Sequence, residues 1–335
     1  MQRAGASALG GAGSQAVLAR GHARPAGVAM IAPVALPERW LRVQHDTVYD
    51  YDSPVELAHH LACLSPRTTA QQQVRGWRLT VEPAPDGWPA AEVPPELFST
   101  DPWGNARLVF SHAQVHERLA VSSGFEVGLS APPPIDPLAS PAWEAVAESL
   151  RYHAGAVRSE AVEFTLASEF VPRDAALAAF GRQAFRPGRP LAEGALALMQ
   201  LIYRQFAYKP LATHVGTRAT EALALKRGVC QDFAHVMIGA CRSLGLAARY
   251  VSGYLLTRAP EGKTKLVGAD ASHAWAAVWC PEQGWLALDP TNNIPVGLDH
   301  VTLAWGRDYA DVAPLRGVIR GGQAHPKVAV TVEPL

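Results

Sequence analysis

The sequence is poor in cysteine. Its 335 residues include four cysteines, at positions 63, 230, 241 and 280. They are scattered along the chain, without a CxxC pair and without the short spacings that suit a zinc site. We therefore expect reduced thiols and no structural metal.

Net charge is also absent, because 30 Lys and Arg residues balance 30 Asp and Glu residues. Without a net charge to attract phosphates or anionic lipids, we expect neither a nucleic acid nor a membrane as partner. Every apolar run is broken by a charge or a proline before the roughly 18 residues that a membrane span needs. The expected location is cytoplasmic, with export as a minor alternative because residues 26–36 weakly resemble the apolar segment of a signal peptide.

The chain is long enough for two domains, each with a core of its own. From Trp40 to Leu129 apolar and polar residues alternate with a period of two, in runs that turn residues separate. This pattern predicts an antiparallel β-sandwich. Helical and strand-like stretches follow after a proline-rich segment, so the predicted fold class for the whole chain is α+β.

These patterns set the predicted boundaries. The predicted segments are a disordered leader at 1–36, a β-rich domain at 37–130, a proline-rich linker with helices at 131–190, a core at 191–305, and a tail with a final strand at 306–335. The final strand, in which Val328, Val330 and Val332 alternate with other residues, could join either sheet.

One cysteine stands at the start of a predicted helix. Gly228 permits a tight turn, and from Cys230 onward apolar residues recur at helical spacing until Gly245, a helix stop. The unpaired backbone N–H groups and the positive dipole end of a helix start favour a thiolate. Cys230 is therefore the candidate nucleophile, whereas Cys241 on the same helix is interpreted as a small buried hydrophobe.

A nucleophilic cysteine needs a base and a group that orients the base. His273 begins a predicted strand, and an imidazole can take a thiol proton near neutral pH. Asp289 ends the next predicted strand and precedes Pro290, which keeps it extended. We interpret His273 as the base and Asp289 as the carboxylate that fixes its tautomer.

The register of this hairpin tests the interpretation. With a plain four-residue loop at 281–284, Asp289 would lie opposite Ala276 and face away from His273. A loop with an odd number of residues, or a bulge, places Asp289 opposite Trp275 and on the face of His273. We therefore predict an irregular hairpin.

Four separated blocks carry a resemblance to a known family. They are Gly228 to His235, Ala248 to Tyr254, Ser272 to Trp275, and Trp285 to Asn292. In this order they resemble the core of the bacterial transglutaminase-like proteins, which belong to the papain-like superfamily in its broad sense. Upstream, residues 49–67 and 101–105 resemble the β-rich N-terminal domain that often accompanies this core.

The resemblance implies a papain-like core in which a helix bearing Cys230 packs on an antiparallel sheet bearing His273 and Asp289. It also implies the reaction, in which an amide is converted to a thioester on Cys230 and released to water or to an amine. The implied roles are nucleophile for Cys230, base for His273 and orienting group for Asp289.

Supporting groups are expected around the sulfur. The backbone N–H of Cys230 and one side chain would hold the oxyanion, with Tyr208 and Gln205 as the candidates. Trp275 is a candidate for the wall of the cleft, although an aromatic residue in a strand is more often part of a core. Asp232, in the first helical turn, is interpreted as a partner of the helix dipole.

Several functions stay open at this point. We expect a cofactor-free thiol enzyme that acts on a protein or peptide, with hydrolysis slightly favoured over amine transfer because water is always present. The alternative is a catalytically silent scaffold that binds a protein or peptide. A third possibility is acetyl transfer from a coenzyme, as in the related arylamine acetyltransferases. The oligomeric state is not indicated by the sequence.

Overall fold

A computed structural model describes residues 36–88, 93, 97–151, 159–257 and 272–335. These residues belong to one compact unit, Val34–Leu335. The leader predicted at 1–36 lies outside the described residues, apart from Leu36. Within the described residues, no helix is both long enough and apolar enough to cross a membrane.

Strand β1 (Arg39–Ala62) is the central element of a seven-stranded antiparallel sheet. Its partners come from both ends of the chain: β2 (Gln72–Glu82), β3 (Phe98–Thr100), β4 (Ala106–His112), β5 (His116–Leu129), β13 (Leu315–Gly321) and β14 (Ala324–Pro334). The strand order is β2-β5-β1-β4-β3, and β13 and β14 also pair with β1. The alternating strand at the end of the chain therefore joins the N-terminal sheet.

The two halves of β1 have different partners. Residues 41–51 pair with β14 and residues 39–50 with β5, whereas residues 55–62 pair with β13 and residues 58–62 with β4. The predicted antiparallel, β-rich region is thus confirmed. Its strands form one continuous hydrogen-bonded sheet that changes partners near the middle of β1, rather than two separate sheets.

Alternation places one side of each strand in the core. Leu41 and Val43 of β1 are fully buried, together with Leu79 and Val81 of β2. Each such side chain contributes roughly 1.5–3 kcal/mol on burial. Residues 254, 301 and 303 from the second half of the chain belong to the same apolar cluster, so the two halves share this core.

Short helices connect the two halves and precede the helix that begins at Cys230. They are α1 (Trp143–Ser149), a 3-10 helix (Glu160–Thr165), α2 (Ala175–Arg182), α3 (Leu191–Gln205) and α4 (Ala219–Leu225). Helix α5 (Cys230–Ser243) begins and ends as the sequence predicts, with Gly245 two residues beyond its end. Its central residues are fully buried.

A second antiparallel sheet carries the rest of the core. Its strands are β8 (Ala248–Leu255), β9 (Ser272–Cys280), β10 (Gly284–Asp289), β11 (Ile294–Pro295) and β12 (His300–Gly306), in the order β11-β10-β9-β8-β12. A parallel pair, β6 (Ala207–Tyr208) with β7 (Arg227–Gly228), lies just before α5, and the short helix α6 (Tyr309–Val312) follows β12. The observed architecture confirms the predicted α+β class.

Helix α5 covers one face of the second sheet. Ala274, Ala276 and Val278 of β9 belong to the same apolar cluster as the buried face of the helix. Arg242, in the last turn of α5, is fully buried and donates to the carbonyl oxygens of Phe164, residue 248 and residue 307, and to the hydroxyl of residue 168. The guanidinium therefore ties four segments to the C-terminal end of the helix, where the dipole also favours a cation.

Two side-chain amides join β12 to the first half of the chain. Gln72 donates to the carbonyl of Thr302 at 2.7 Å and accepts from its N–H at 2.8 Å. Asn105 makes the same pair of bonds with Trp305, at 2.7 and 3.1 Å. Asp101 holds the Asn105 amide in place at 2.7 Å. The Asp-Pro-Trp-Gly-Asn segment therefore attaches the N-terminal sheet to the core.

The hairpin between β9 and β10 has the predicted irregular register. Gly284 pairs with Cys280, so the connection has three residues, 281–283, and Gly284 adopts a left-handed φ of 74°. Leu288 pairs with Ala276, which places Asp289 opposite Trp275. The predicted odd loop is confirmed, and it brings Asp289 to the face of the sheet that His273 shares.

Candidate active site

Cys230 is the first residue of α5, and a carboxylate two residues later caps that helix. The Asp232 carboxylate, almost fully buried, accepts from the N–H of Val229 at 2.7 Å and from the hydroxyl of Thr213 at 2.7 Å. Gly228 is necessary here because a β-carbon at this position would collide with the Asp232 carboxylate. The cap fixes the helix start and leaves the N–H groups of the first turn near the sulfur.

Exposure separates Cys230 from the other thiols. Cys230 is half-buried, whereas Cys63, Cys241 and Cys280 are buried. Burial raises the pKa of Cys241 to about 12. Cys230 is thus the thiol that solvent and a substrate can reach.

His273 lies between the sulfur and a carboxylate. Its Nε2 atom is 2.7 Å from Oδ2 of Asp289. Burial alone would lower the pKa of His273, but hydrogen bonds with Asp289 and Cys230 raise it to about 10. Since Nε2 is occupied by the carboxylate, Nδ1 is the ring nitrogen left for the sulfur.

Asp289 is fully buried and fully hydrogen-bonded. Its Oδ2 also accepts from Nδ2 of Asn292 at 2.7 Å and from Nε2 of His300 at 3.1 Å, and its Oδ1 accepts from the N–H groups of Thr291 and Asn292. Burial raises the pKa of Asp289, but hydrogen bonds from His273, His300 and Asn292 outweigh it and hold the pKa well below its ordinary value. The carboxylate therefore stays ionised beside the imidazole.

Sequence reasoning missed two residues of this network, His300 and Asn292. Asn292 stands three residues after Asp289 in a turn beyond a proline, a position from which an amide commonly bonds back to the chain. His300 begins β12, and its packing against the Trp275 ring, 5.3 Å between centroids, depends on sheet order alone. No spacing in the sequence indicates it.

The candidates for supporting groups around the sulfur have different surroundings in the structure. Tyr208 of β6 pairs with Gly228, and burial followed by the charge of Cys230 raises its pKa, so its hydroxyl belongs to the surroundings of the sulfur. Gln205 is exposed and accepts from Nζ of Lys226 at 3.0 Å. Trp275 is buried and packs on His300.

His273, Asp289 and His300 are also near enough to one another to be considered as metal ligands. Both imidazoles, however, point their Nε2 atoms at the same carboxylate oxygen, at 2.7 and 3.1 Å. Two ligands of a tetrahedral zinc ion would be about 3.3 Å apart, given metal–ligand distances of about 2.0 Å. The arrangement fits a hydrogen-bonded network centred on Asp289 better than a metal site.

Two segments of the chain match known families. Residues 178–290 match the transglutaminase-like superfamily, and residues 41–128 match the bacterial transglutaminase-like N-terminal region. The second match coincides with the first sheet, and the first spans the helices and strands that carry the cysteine, the histidine and the aspartate.

Individual proteins agree with these matches. An uncharacterised protein of Mycobacterium tuberculosis is 38% identical over 87% of this chain and 91% of its own length. A Pseudomonas aeruginosa protein named protein-glutamine gamma-glutamyltransferase is 37% identical over 43% of this chain and 22% of its own length. In fold, a cysteine protease candidate from Cytophaga hutchinsonii superposes with a TM-score of 0.67 at 20% identity, covering 89% of this chain and 91% of that one. The chain therefore belongs to the transglutaminase-like superfamily and carries the bacterial N-terminal region of that family in front of its core.

Proposed function

We propose that the chain is a thiol enzyme that transfers acyl groups from amide or peptide bonds through a thioester on Cys230. The observation that carries the proposal is that His273 bonds Cys230 on one side and Asp289 on the other. Cysteine, histidine and aspartate then have the roles of nucleophile, base and orienting group.

In the first half of the reaction, Nδ1 of His273 takes the proton of the Cys230 thiol. The sulfur attacks the carbonyl carbon of the amide, and the electron pair of the C=O bond moves to oxygen. We assign the stabilisation of this oxyanion to the backbone N–H of Cys230 and the hydroxyl of Tyr208, which the charge of Cys230 influences. When the C–N bond breaks, His273 returns the proton to the leaving nitrogen, and an amine departs.

In the second half, the thioester is attacked by water or by a primary amine. His273 takes a proton from the attacking group, and the proton returns to the sulfur as the C–S bond breaks. Water gives a carboxylic acid and an amine gives a new amide, so both outcomes share every step up to the thioester. We favour hydrolysis, because half-buried Cys230 is open to water.

Mass spectrometry tests the reaction. The wild type, Cys230→Ala and the matched control Cys280→Ala are incubated with a peptide library, with and without a primary amine. The wild type and Cys280→Ala should give cleaved or deamidated peptides, amine adducts would identify transfer, and Cys230→Ala should give none of these. Unchanged peptides with the wild type in every arm would instead favour the silent protein-binding scaffold.

A thiol probe separates the enzyme from the scaffold without knowledge of the substrate. Iodoacetamide should label Cys230 rapidly and the other three cysteines slowly, and the rapid phase should be lost in His273→Ala. Equal, slow labelling of all four cysteines would contradict the proposed triad. A thermal-shift screen with acyl-coenzyme A tests the alternative of acetyl transfer from a coenzyme. The cytoplasmic location stays a prediction, which cell fractionation checks.

A further inference from the structure

The second sheet has a cavity on the face opposite α5. The cavity has a volume of about 1050 Å³ and is partly open to solvent. Its floor comes from neighbouring strands, with Val251 of β8, Ala277 of β9 and Ala287 of β10 on the same face. The proline-rich segment at 132–134 also lines the cavity. Neither Cys230 nor His273 lines it, but Trp275 and His300, which belong to the surroundings of Asp289, do, so the cavity borders the thiol site without containing the sulfur.

A single guanidinium group stands on this floor. Arg249 lies between two indoles, with its Cζ atom 4.2 Å from the ring centroid of Trp285 and 3.9 Å from that of Trp305. Arg67 lies over the same Trp305 ring at 3.6 Å. Because two guanidinium groups cannot occupy one face of a ring at these distances, Arg67 and Arg249 lie on opposite faces. The two indoles therefore enclose Arg249 at a position where its side chain lines the cavity.

Arg249 has no anionic partner among the described residues. Its Nε atom is buried without a hydrogen bond, and no carboxylate forms an ion pair with it. Burial, followed by the charge of Arg67, lowers the pKa of Arg249 to about 9. Glu282 also lines the cavity, but it is exposed in the hairpin loop and interacts with the thiol of Cys280. A largely buried cation without a partner is costly, and an anion in the cavity would remove that cost.

We propose that this cavity binds a small organic monoanion, a carboxylate on an apolar body. The carboxylate accepts two parallel hydrogen bonds from Arg249, and the apolar body lies against Trp285, Trp305 and the prolines at 132–134. One guanidinium matches one negative charge, and a planar fork matches a planar carboxylate. The indole rings and prolines of the lining favour a ligand with an apolar body over a strongly hydrated ion such as phosphate. This inference goes beyond the proposed thiol chemistry and does not rest on it.

Isothermal titration calorimetry tests the site with two acids and their neutral counterparts. The pairs are octanoate with 1-octanol, and N-acetylphenylalanine with N-acetylphenylalaninamide. We expect at least one acid to bind the full chain at least tenfold more tightly than its neutral counterpart. A preference for octanoate indicates a lipid-derived ligand, whereas a preference for N-acetylphenylalanine indicates a peptide C-terminus. Equal affinity within both pairs, or no binding of any probe, overturns the proposal.

Variants locate the binding. Arg249→Met keeps the aliphatic stem and should abolish the preference for the acid, whereas Arg42→Met, the same change at an exposed ion pair of the first sheet, should leave it intact. Ala287→Leu fills the floor without touching the charge and should weaken both members of a pair at least tenfold. If circular dichroism shows that Arg249→Met does not fold, Ala287→Leu alone tests whether the ligand binds in this cavity. Unchanged acid preference in folded Arg249→Met, or unchanged binding in Ala287→Leu, overturns the proposal.

Discussion

The Nε2 atom of His300 lies 3.1 Å from Oδ2 of Asp289, the same oxygen that accepts from His273. His300 is buried, and Trp275 packs edge-on against its ring. One carboxylate oxygen therefore has an imidazole on either side, only one of which faces the sulfur. His300 thus holds the Asp289 carboxylate in place, and the carboxylate holds the imidazole of His273. This makes His300 a positioning residue.

Replacing His300 by phenylalanine tests this role. His300→Phe keeps the contact with Trp275 but removes a hydrogen bond to a charged group, worth roughly 1.5–3 kcal/mol. We expect the rate of iodoacetamide labelling of Cys230 to fall about tenfold to a hundredfold, since 1.4 kcal/mol corresponds to a factor of ten. His300→Gln, whose amide can donate to Asp289, should recover part of the rate. A labelling rate in His300→Phe equal to that of the wild type would show that His300 only fills space.

The pH dependence of the reaction depends on Asp289. Hydrogen bonds with Asp289 and Cys230 raise the pKa of His273 to about 10, so the imidazole keeps its proton below that pH and loses it above. A protonated His273 is needed to return a proton to the leaving nitrogen, so we expect the rate of amide cleavage to fall above about pH 10. In Asp289→Asn the charge is gone, and this fall should move to lower pH by at least one unit. A pH-rate profile of both proteins measures it, and an unmoved alkaline limb would contradict the role of Asp289.

Much of the fold and of the site could be predicted because the relevant signals are local. The helix from Cys230 to Gly245 follows from apolar spacing and a glycine stop, and the strands around His273 and Asp289 follow from their composition. The register that brings Asp289 to His273 depends only on whether the loop at 281–283 has an odd number of residues. This register could therefore be predicted from the sequence of a single hairpin.

The rest depends on which strands become neighbours in space. His300 reaches Asp289 only because β12 pairs with β8 at the sheet edge, and no residue spacing encodes that pairing. The N-terminal strands alternate as a sandwich would, but whether they form one sheet or two depends on the partners that β1 takes along its length. Arg249 likewise has its role only because Trp285 and Trp305, from two other strands, lie on either side of it.

The cap of α5 should be sensitive to a single methyl group. In Gly228→Ala the new β-carbon would collide with the Asp232 carboxylate, which must then release the N–H of Val229. Loss of such a cap costs about 1 kcal/mol and loosens the helix start that holds Cys230. We expect slower labelling of Cys230, by severalfold, together with a lower urea midpoint. Gly216→Ala meets only ordinary contacts with His214 and is the matched control. Equal effects of the two substitutions would show that the cap does not matter.

Acid should destabilise the fold through histidines that are buried in the neutral form. Burial lowers the pKa of His45 and His60 to about 4 and that of His235 to about 3, whereas their ordinary value is 6.5. Between these values the unfolded chain binds more protons than the folded one, so stability is present above pH 6.5 and is lost as the pH falls toward 4. Each histidine with a pKa near 4 contributes up to about 3 kcal/mol to this loss.

His60 isolates the effect because it can be replaced without loss of a hydrogen bond. Its ring stacks on Phe110 at 5.0 Å between centroids, and its Nε2 atom has no partner. His60→Phe keeps the stacking and cannot be protonated, so its urea midpoint should exceed that of the wild type at pH 4.5 and match it within a few tenths molar at pH 7.5. His59→Phe, at the exposed neighbouring position, should show no such difference between the two pH values. If His60→Phe lost stability on acidification as steeply as the wild type, the buried imidazole of His60 would not be a cause of the acid sensitivity.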